Sequence, residues 1–143
     1  MLAYVRIPLA RALLRSGKTE EAMVMVDSAL SFTQALDLGS FLQGALEINA
    51  EILAHKNTKD VARIDQMMEQ AATMVERGRS SWHKILHLMT WARIRLKLGN
   101  LELAREDLAQ ARDLYRDTSV KKGTRELWAI EKALKAAEMV RRK

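Results

Sequence analysis

Apolar residues recur along this chain at intervals of three and four, with polar positions between them, and no stretch sustains the period-two alternation of a strand. The spacing predicts seven helices. The first covers about Ile7 to Arg15, with Leu9, Ala10, Leu13 and Leu14 on one stripe and Pro8 in its first turn, where a missing N–H costs nothing. Gly17 ends it, and Thr19 caps a second helix ahead of acidic Glu20 and Glu21. That helix carries Ala22, Val26, Ala29, Leu30 and Thr33 and stops near 37–40. A third runs from a Ser40 cap to about His55, burying some combination of Leu42, Leu46, Ile48, Ile52 and Leu53. Asn57 takes the place of a terminating Gly, and Thr58 or Asp60 caps a fourth helix with the stripe Val61, Ile64, Met68, Ala71, Ala72 and Val75, ending at Gly78. Ser80 or Ser81 opens a fifth, with Ile85, Leu88, Met89, Ala92 and Leu96 inward, closing on Gly99. The sixth spans Leu101 to about Arg116 through Leu101, Ala104, Leu108, Ala111 and Tyr115. After a polar loop, Thr124 caps a seventh helix with Leu127, Ile130, Leu134 and Ala137 on its inner face.

The helices fall into pairs that echo one another. Ala10, Ala50 and Ala92 correspond in the first helix of each pair, as do Gly17, Asn57 and Gly99 at its end. In the second helices Ala22, Ile64 and Ala104 correspond, then Val26, Met68 and Leu108, then Ala29, Ala71 and Ala111. The steps are 40 or 42 residues, a period near 41. Small residues at these places let helix axes approach closely. A lone hairpin cannot bury its apolar face, so stacking is required. The expected architecture is an all-α, right-handed superhelical solenoid in one domain, 1–143. Its hairpins cover about 6–37, 40–78 and 81–117, and a C-terminal capping helix, 124–141, covers the last apolar face.

The segments Gly17-Lys-Thr-Glu-Glu-Ala22…Ala29 and Gly99-Asn-Leu-Glu-Leu-Ala104…Ala111 resemble the tetratricopeptide repeat family in their Gly-turn and Ala…Ala positions. The resemblance covers about residues 6–116. In the middle unit Asn57 and Ile64 stand where the family has Gly and Ala, and the Pro that follows the family's second helix is missing throughout. The period also exceeds the family's ~34 residues. Longer units of this kind are similar to those of bacterial ATPase-type transcriptional activators and adenylate cyclases. The resemblance implies a non-catalytic protein–protein interaction module of a signalling or transcription-regulatory protein. A small-ligand sensor domain is the alternative.

Composition narrows the chemistry further. There is no cysteine, so disulfides and thiolate chemistry are excluded, and no apolar run or signal peptide directs the chain to a membrane. A cytoplasmic location is the expectation. The net charge of +6 is uneven: residues 1–120 hold 16 Lys/Arg against 15 Asp/Glu, whereas 121–143 hold 8 against 3. Basicity is therefore a property of the last helix, where cations suit the negative end of the dipole. Nucleic-acid binding through that helix is a further alternative, and nucleic acid is not the expected partner.

No constellation of residues calls for catalysis, a cofactor or a metal. Gly17-Lys18-Thr19 ends like a phosphate-binding loop, but Ala12 stands where the earlier Gly belongs and a helix, not a strand, precedes it. His83 and His87 have a metal-compatible i, i+4 spacing without a third ligand nearby in sequence. Glu20-Glu21 and Glu106-Asp107 lie near helix starts, where the dipole accounts for them. The eight Met read as core filling. Of the three Trp, Trp91 reads as packing, while Trp82 and Trp128 stay open between packing and a binding hot spot.

The family resemblance implies a concave groove lined by the first helix of each pair. Its lining would be Ile7, Arg11, Leu14 and Arg15, then Gly44, Glu47, Glu51 and His55, then Leu86, Met89, Arg93 and Lys97. Arg11, Glu51 and Arg93 would form one row. These charges either bind a segment of a protein or peptide partner or neutralise one another on adjacent helices. Self-association through an exposed terminal repeat is a further expectation, and the uncapped start at Met1 is read as a truncation or such a surface.

Overall fold

A computed structural model describes the backbone of residues 3–36, 39–56, 60–78 and 80–142, and side chains of 7–28, 42–56, 60–78 and 80–142. Seven α-helices and no strand lie within them: α1 Ala3–Arg15, α2 Thr19–Leu36, α3 Gly39–Lys56, α4 Val61–Gly78, α5 Ser81–Lys97, α6 Leu101–Asp117 and α7 Thr124–Arg142. The side chains of Ala29, Leu30, Thr33 and Ser40, and the turn at Asn57 and Thr58, lie outside the described residues. No described helix is long and apolar enough to cross a membrane.

The start of α1 differs from expectation. The helix begins at Ala3, so Pro8 sits in its interior rather than its first turn. One i to i−4 hydrogen bond is lost there, and the ring lies exposed.

Contacts gather into two compact units, Met1–Gly78 and Arg79–Lys143. In the first, α3 packs against α1, α2 and α4. Because three neighbours surround it, α3 is buried almost all round from Gln43 to Ala54 and shows no simple one-faced stripe. Its Ala45, Ile48 and Ile52 join Ile7, Ala10 and Leu14 of α1 and Ala22 and Val26 of α2 in one core. Gly44 has no room for a side chain, since a Cβ would stand 2.8 Å from Ile7 Cγ2. In contrast, α4 buries a single stripe, Ile64, Met68, Ala71 and Val75, and leaves Val61 exposed.

In the second unit α5 and α6 form a hairpin and α7 packs on both. Ile85, Met89 and Ala92 meet Leu101, Ala104, Leu108 and Ala111, and α7 adds Leu127, Ile130 and Leu134. At this contact apolar area leaves water at roughly 25 cal/mol per Å2, the main source of its cohesion. The echoed positions within the helices are buried wherever their side chains are described, from Ala10, Ala50 and Ala92 to Ala71 and Ala111, while Gly17 and Gly99 at the turns are exposed.

The echo extends to the turns. The N–H of Gly17 donates to Leu14 O at 3.1 Å and that of Lys18 to Leu13 O at 2.9 Å. Gly99 and Asn100 repeat the pattern on Leu96 O and Arg95 O at 3.1 and 2.8 Å. This paired capping needs a left-handed residue, and φ is +79° at Gly17 and +83° at Gly99. Asn100 then caps α6, its side chain accepting from Leu103 N–H at 3.4 Å. Ser80 does the same for α5 at 3.3 Å from His83 N–H.

The connection from α6 to α7 is held by aromatics. Tyr115 Oη donates to Lys122 O at 2.6 Å, and the Lys122 ammonium stands 4.7 Å from the centroid of the Trp82 ring. A Cβ on Gly123 would lie 2.7 Å from the Trp82 ring and 2.8 Å from Tyr115 Oη. Trp82 is therefore a packing residue. Gly123→Ala is expected to lower unfolding free energy by about 1–3 kcal/mol, through overpacking and a strained positive φ. Chemical denaturation measures this, and an unchanged midpoint would contradict the packing described.

Candidate functional site

The polar side chains named from the sequence come together first of all along α1 and α3. Gln43, Glu47, Glu51 and His55 recur every four residues on α3, one ridge of the helix. Arg11 and Arg15 have the same spacing on α1. Arg15 grips Glu51 with both guanidinium nitrogens, Nη1 to Oε2 at 2.5 Å and Nη2 to Oε1 at 2.8 Å. One turn earlier Arg11 Nη2 lies 3.7 Å from Glu47 Oε1. The two pairs are rungs of one ladder, because each joins residues thirty-six apart on helices held in register. His55 Nε2 adds a third contact to Glu51 Oε2 at 3.8 Å.

Both carboxylates are nearly removed from water: Glu47 is 1% exposed and Glu51 2%. A carboxylate in such a place is tolerated only when paired. The ladder is thus spent on the contact between α1 and α3, and of the two readings of these charges, mutual neutralisation describes Arg11, Arg15, Glu47 and Glu51.

The other expected groove residues divide by exposure. Met89 is fully buried in the core of the second unit, and Ile7 and Leu14 lie in that of the first, so none offers its side chain to a ligand. Gly44 is buried against Ile7. Leu86 is half-buried against the second unit's core and Arg93 is half-buried. His55 and Lys97 are exposed.

A second polar cluster lies in the α5–α6 hairpin. Asp107 is 4% exposed, and Arg95 Nη1 donates to its Oδ1 at 2.5 Å and Oδ2 at 2.7 Å. The Arg95 guanidinium also lies 4.0 Å from the centroid of Trp91, which positions it over the ring. His87, itself buried, is close enough to act on Asp107 electrostatically. The dipole at the start of α6 therefore does not account for Asp107, which faces inward and is met by a cation. Sequence reasoning missed this pair, which joins a residue four before Gly99 to one eight after it across the hairpin.

Burial pushes the Asp107 carboxyl up from its ordinary 3.8, and Arg95 and His87 only partly oppose that. Both Arg95 bonds come from one nitrogen rather than a two-nitrogen fork, so less of the lost hydration is replaced. Among the described residues no group of three His, Cys, Asp or Glu is placed to hold a metal, and His83 is exposed while His87 is buried.

The third arrangement is the seam between α6 and α7. Arg105 Nη2 donates to Glu138 at 2.7 Å and Arg112 to Glu131. The pairs advance on α6 as they retreat on α7, as antiparallel helices require. Arg141 Nη2 donates to Gly99 O at 2.7 Å and ties the end of α7 to the hairpin turn. These contacts are exposed and contribute little stability singly, but they consume the acidic residues of α7 on one side. Elsewhere on α7 Trp128, Met139 and Val140 stand 64, 63 and 75% exposed. The chain has no match among protein-family models, curated proteins or solved structures with which it was compared.

The raised Asp107 sets a pH dependence of known sign. The folded state holds this proton more tightly than the unfolded chain, so its contribution to stability is greatest in acid and is lost as pH rises through the folded-state midpoint. The stability of the native protein minus that of Asp107→Asn is expected to decline over the window that opens at the ordinary aspartate range, about pH 4, and extends upward. Urea unfolding at several pH values measures it, and a difference that grows over that window would contradict the direction.

Proposed function

We propose that this chain is a non-catalytic protein–protein interaction scaffold built of helical hairpins of the tetratricopeptide kind. The observation that carries the reading is the identity of the two turns at Gly17 and Gly99. The same two hydrogen bonds close both, and a buried Ala, Ala22 or Ala104, stands five residues after each Gly. A fold that repeats a hairpin in this way offers helix faces, and its function resides in their shape and charge. The right-handed solenoid expected from the period belongs to this proposal. So does its setting in a bacterial signalling or transcription-regulatory protein, which rests on the family resemblance.

The use of charge supports the same reading. Each nearly buried carboxylate is met by an arginine on another helix: Glu47 by Arg11, Glu51 by Arg15 and Asp107 by Arg95. Those groups hold helices together and do not converge on an open position where a substrate could sit.

A photocrosslinking side chain placed singly at exposed Ala12, Gln70, Ala109 and Ala136, in cells that make the protein, tests the scaffold. Discrete protein adducts at some of these positions and not others are expected. Adducts to nucleic acid alone, or none at any position, would contradict it.

A further inference from the structure

The outer face of α7 carries exposed Trp128 and Met139. Along it Trp128, Lys132, Lys135, Met139 and Arg142 follow at intervals of four, three, four and three, a single stripe along the helix. All five are exposed. Trp128 and Met139 are eleven residues apart, about 16 Å along the axis at 1.5 Å per residue. Lys132 and Lys135 lie between them. The Lys132 ammonium is 5.2 Å from the centroid of the Trp128 ring, which holds the indole ready and lowers the cost of ordering it on contact.

The sign of this face is set by what the fold has withdrawn from it. Glu131 and Glu138 are turned to the seam and held by Arg112 and Arg105. The stripe is left with cations and apolar groups only. Its width is one helix, because the exposed charges of neighbouring α6 are of both signs, Glu102, Glu106 and Asp113 among them.

We propose that this stripe docks one acidic amphipathic helix of a protein partner, with apolar side chains against Trp128 and Met139 and carboxylates against Lys132 and Lys135. The proposal rests on the scaffold reading and names the partner chemistry. A narrow cationic stripe with an apolar anchor toward each end matches a helix in width, charge and spacing. A polyanion broader than one helix would meet the carboxylates of α6. A membrane would have to take up the two lysines that separate Trp128 from Met139, whereas interfacial helices keep their cations on the polar side. A second α7 would oppose like charges.

The test uses the full chain and a synthetic helical peptide. The peptide carries Leu at two positions eleven residues apart and Glu at the two intervening positions of that face. Its affinity is read by anisotropy at low salt, beside a scrambled peptide of equal composition, a single-stranded RNA, a DNA duplex and anionic vesicles. Binding to the patterned peptide is expected to be at least about tenfold tighter than to the scramble and to fall about tenfold in Trp128→Ala. Lys132→Glu with Lys135→Glu should lose the peptide and instead take one with Lys at the two Glu positions. Every substituted side chain is exposed, and helical circular dichroism checks that each variant folds.

Equal binding of scramble and pattern would overturn the proposal. So would nucleic acid or vesicles engaging Trp128 as tightly as the peptide, or self-association of the chain that Trp128→Ala abolishes. Protein crosslinks at Ala12 or Gln70 but none at Ala136, with no peptide binding, would overturn this docking face and leave the scaffold reading standing.

Discussion

A carboxylate removed from water between two helices has to be met there by a cation, and that requirement governs how these helices are registered. Glu51 sits on a helix buried almost all round, and Arg15 reaches it from α1 with a two-nitrogen grip. Apolar contacts bring helices together but are tolerant of sliding, whereas a bidentate ion pair is not. One turn away Arg11 and Glu47 repeat the constraint, and a slip along the axis would strand two charges at once. Gly44 supplies the other half of the arrangement, since a Cβ there would stand 2.8 Å from Ile7 Cγ2 and its absence lets α1 lie close to α3.

The second unit solves a similar problem with a different balance. Asp107 is buried and held through one nitrogen of Arg95, so its burial is less completely offset and its carboxyl titrates high. The seam between α6 and α7 uses exposed pairs instead. Those contribute orientation more than energy, and they engage Glu131 and Glu138 of α7 with α6.

Much of the fold was legible because helix signals here are local. Gly17 and Gly99 mark ends whose hydrogen bonds the structure displays, Ser80 and Asn100 cap as their side chains allow, and the expected stripes are buried at Ile64, Met68, Ala71 and Val75 of α4 and at Leu101, Ala104, Leu108 and Ala111 of α6, though Val61 is exposed. What was hidden depends on contacts distant in sequence. The depth of Glu47 and Glu51 follows from the number of helices around α3, which no periodicity within α3 reports. Pro8 reads as a helix start, yet the helix begins five residues before it, at Ala3. Met89 was placed in a groove by family analogy, and its own stripe with Ile85 and Ala92 takes it into the core. The difference between Trp82 and Trp128 likewise depends on Gly123, forty-one residues after Trp82.

The central claim is that the α3 carboxylates are structural, held by α1 rather than kept for a ligand. A double-mutant cycle on Arg15 and Glu51, each replaced singly and together by Ala, measures it by equilibrium unfolding. Discounted for the partial exposure of Arg15, the account predicts a coupling of roughly 2 kcal/mol or more, with the double variant more stable than additivity allows. A coupling within about 0.5 kcal/mol of zero would contradict it.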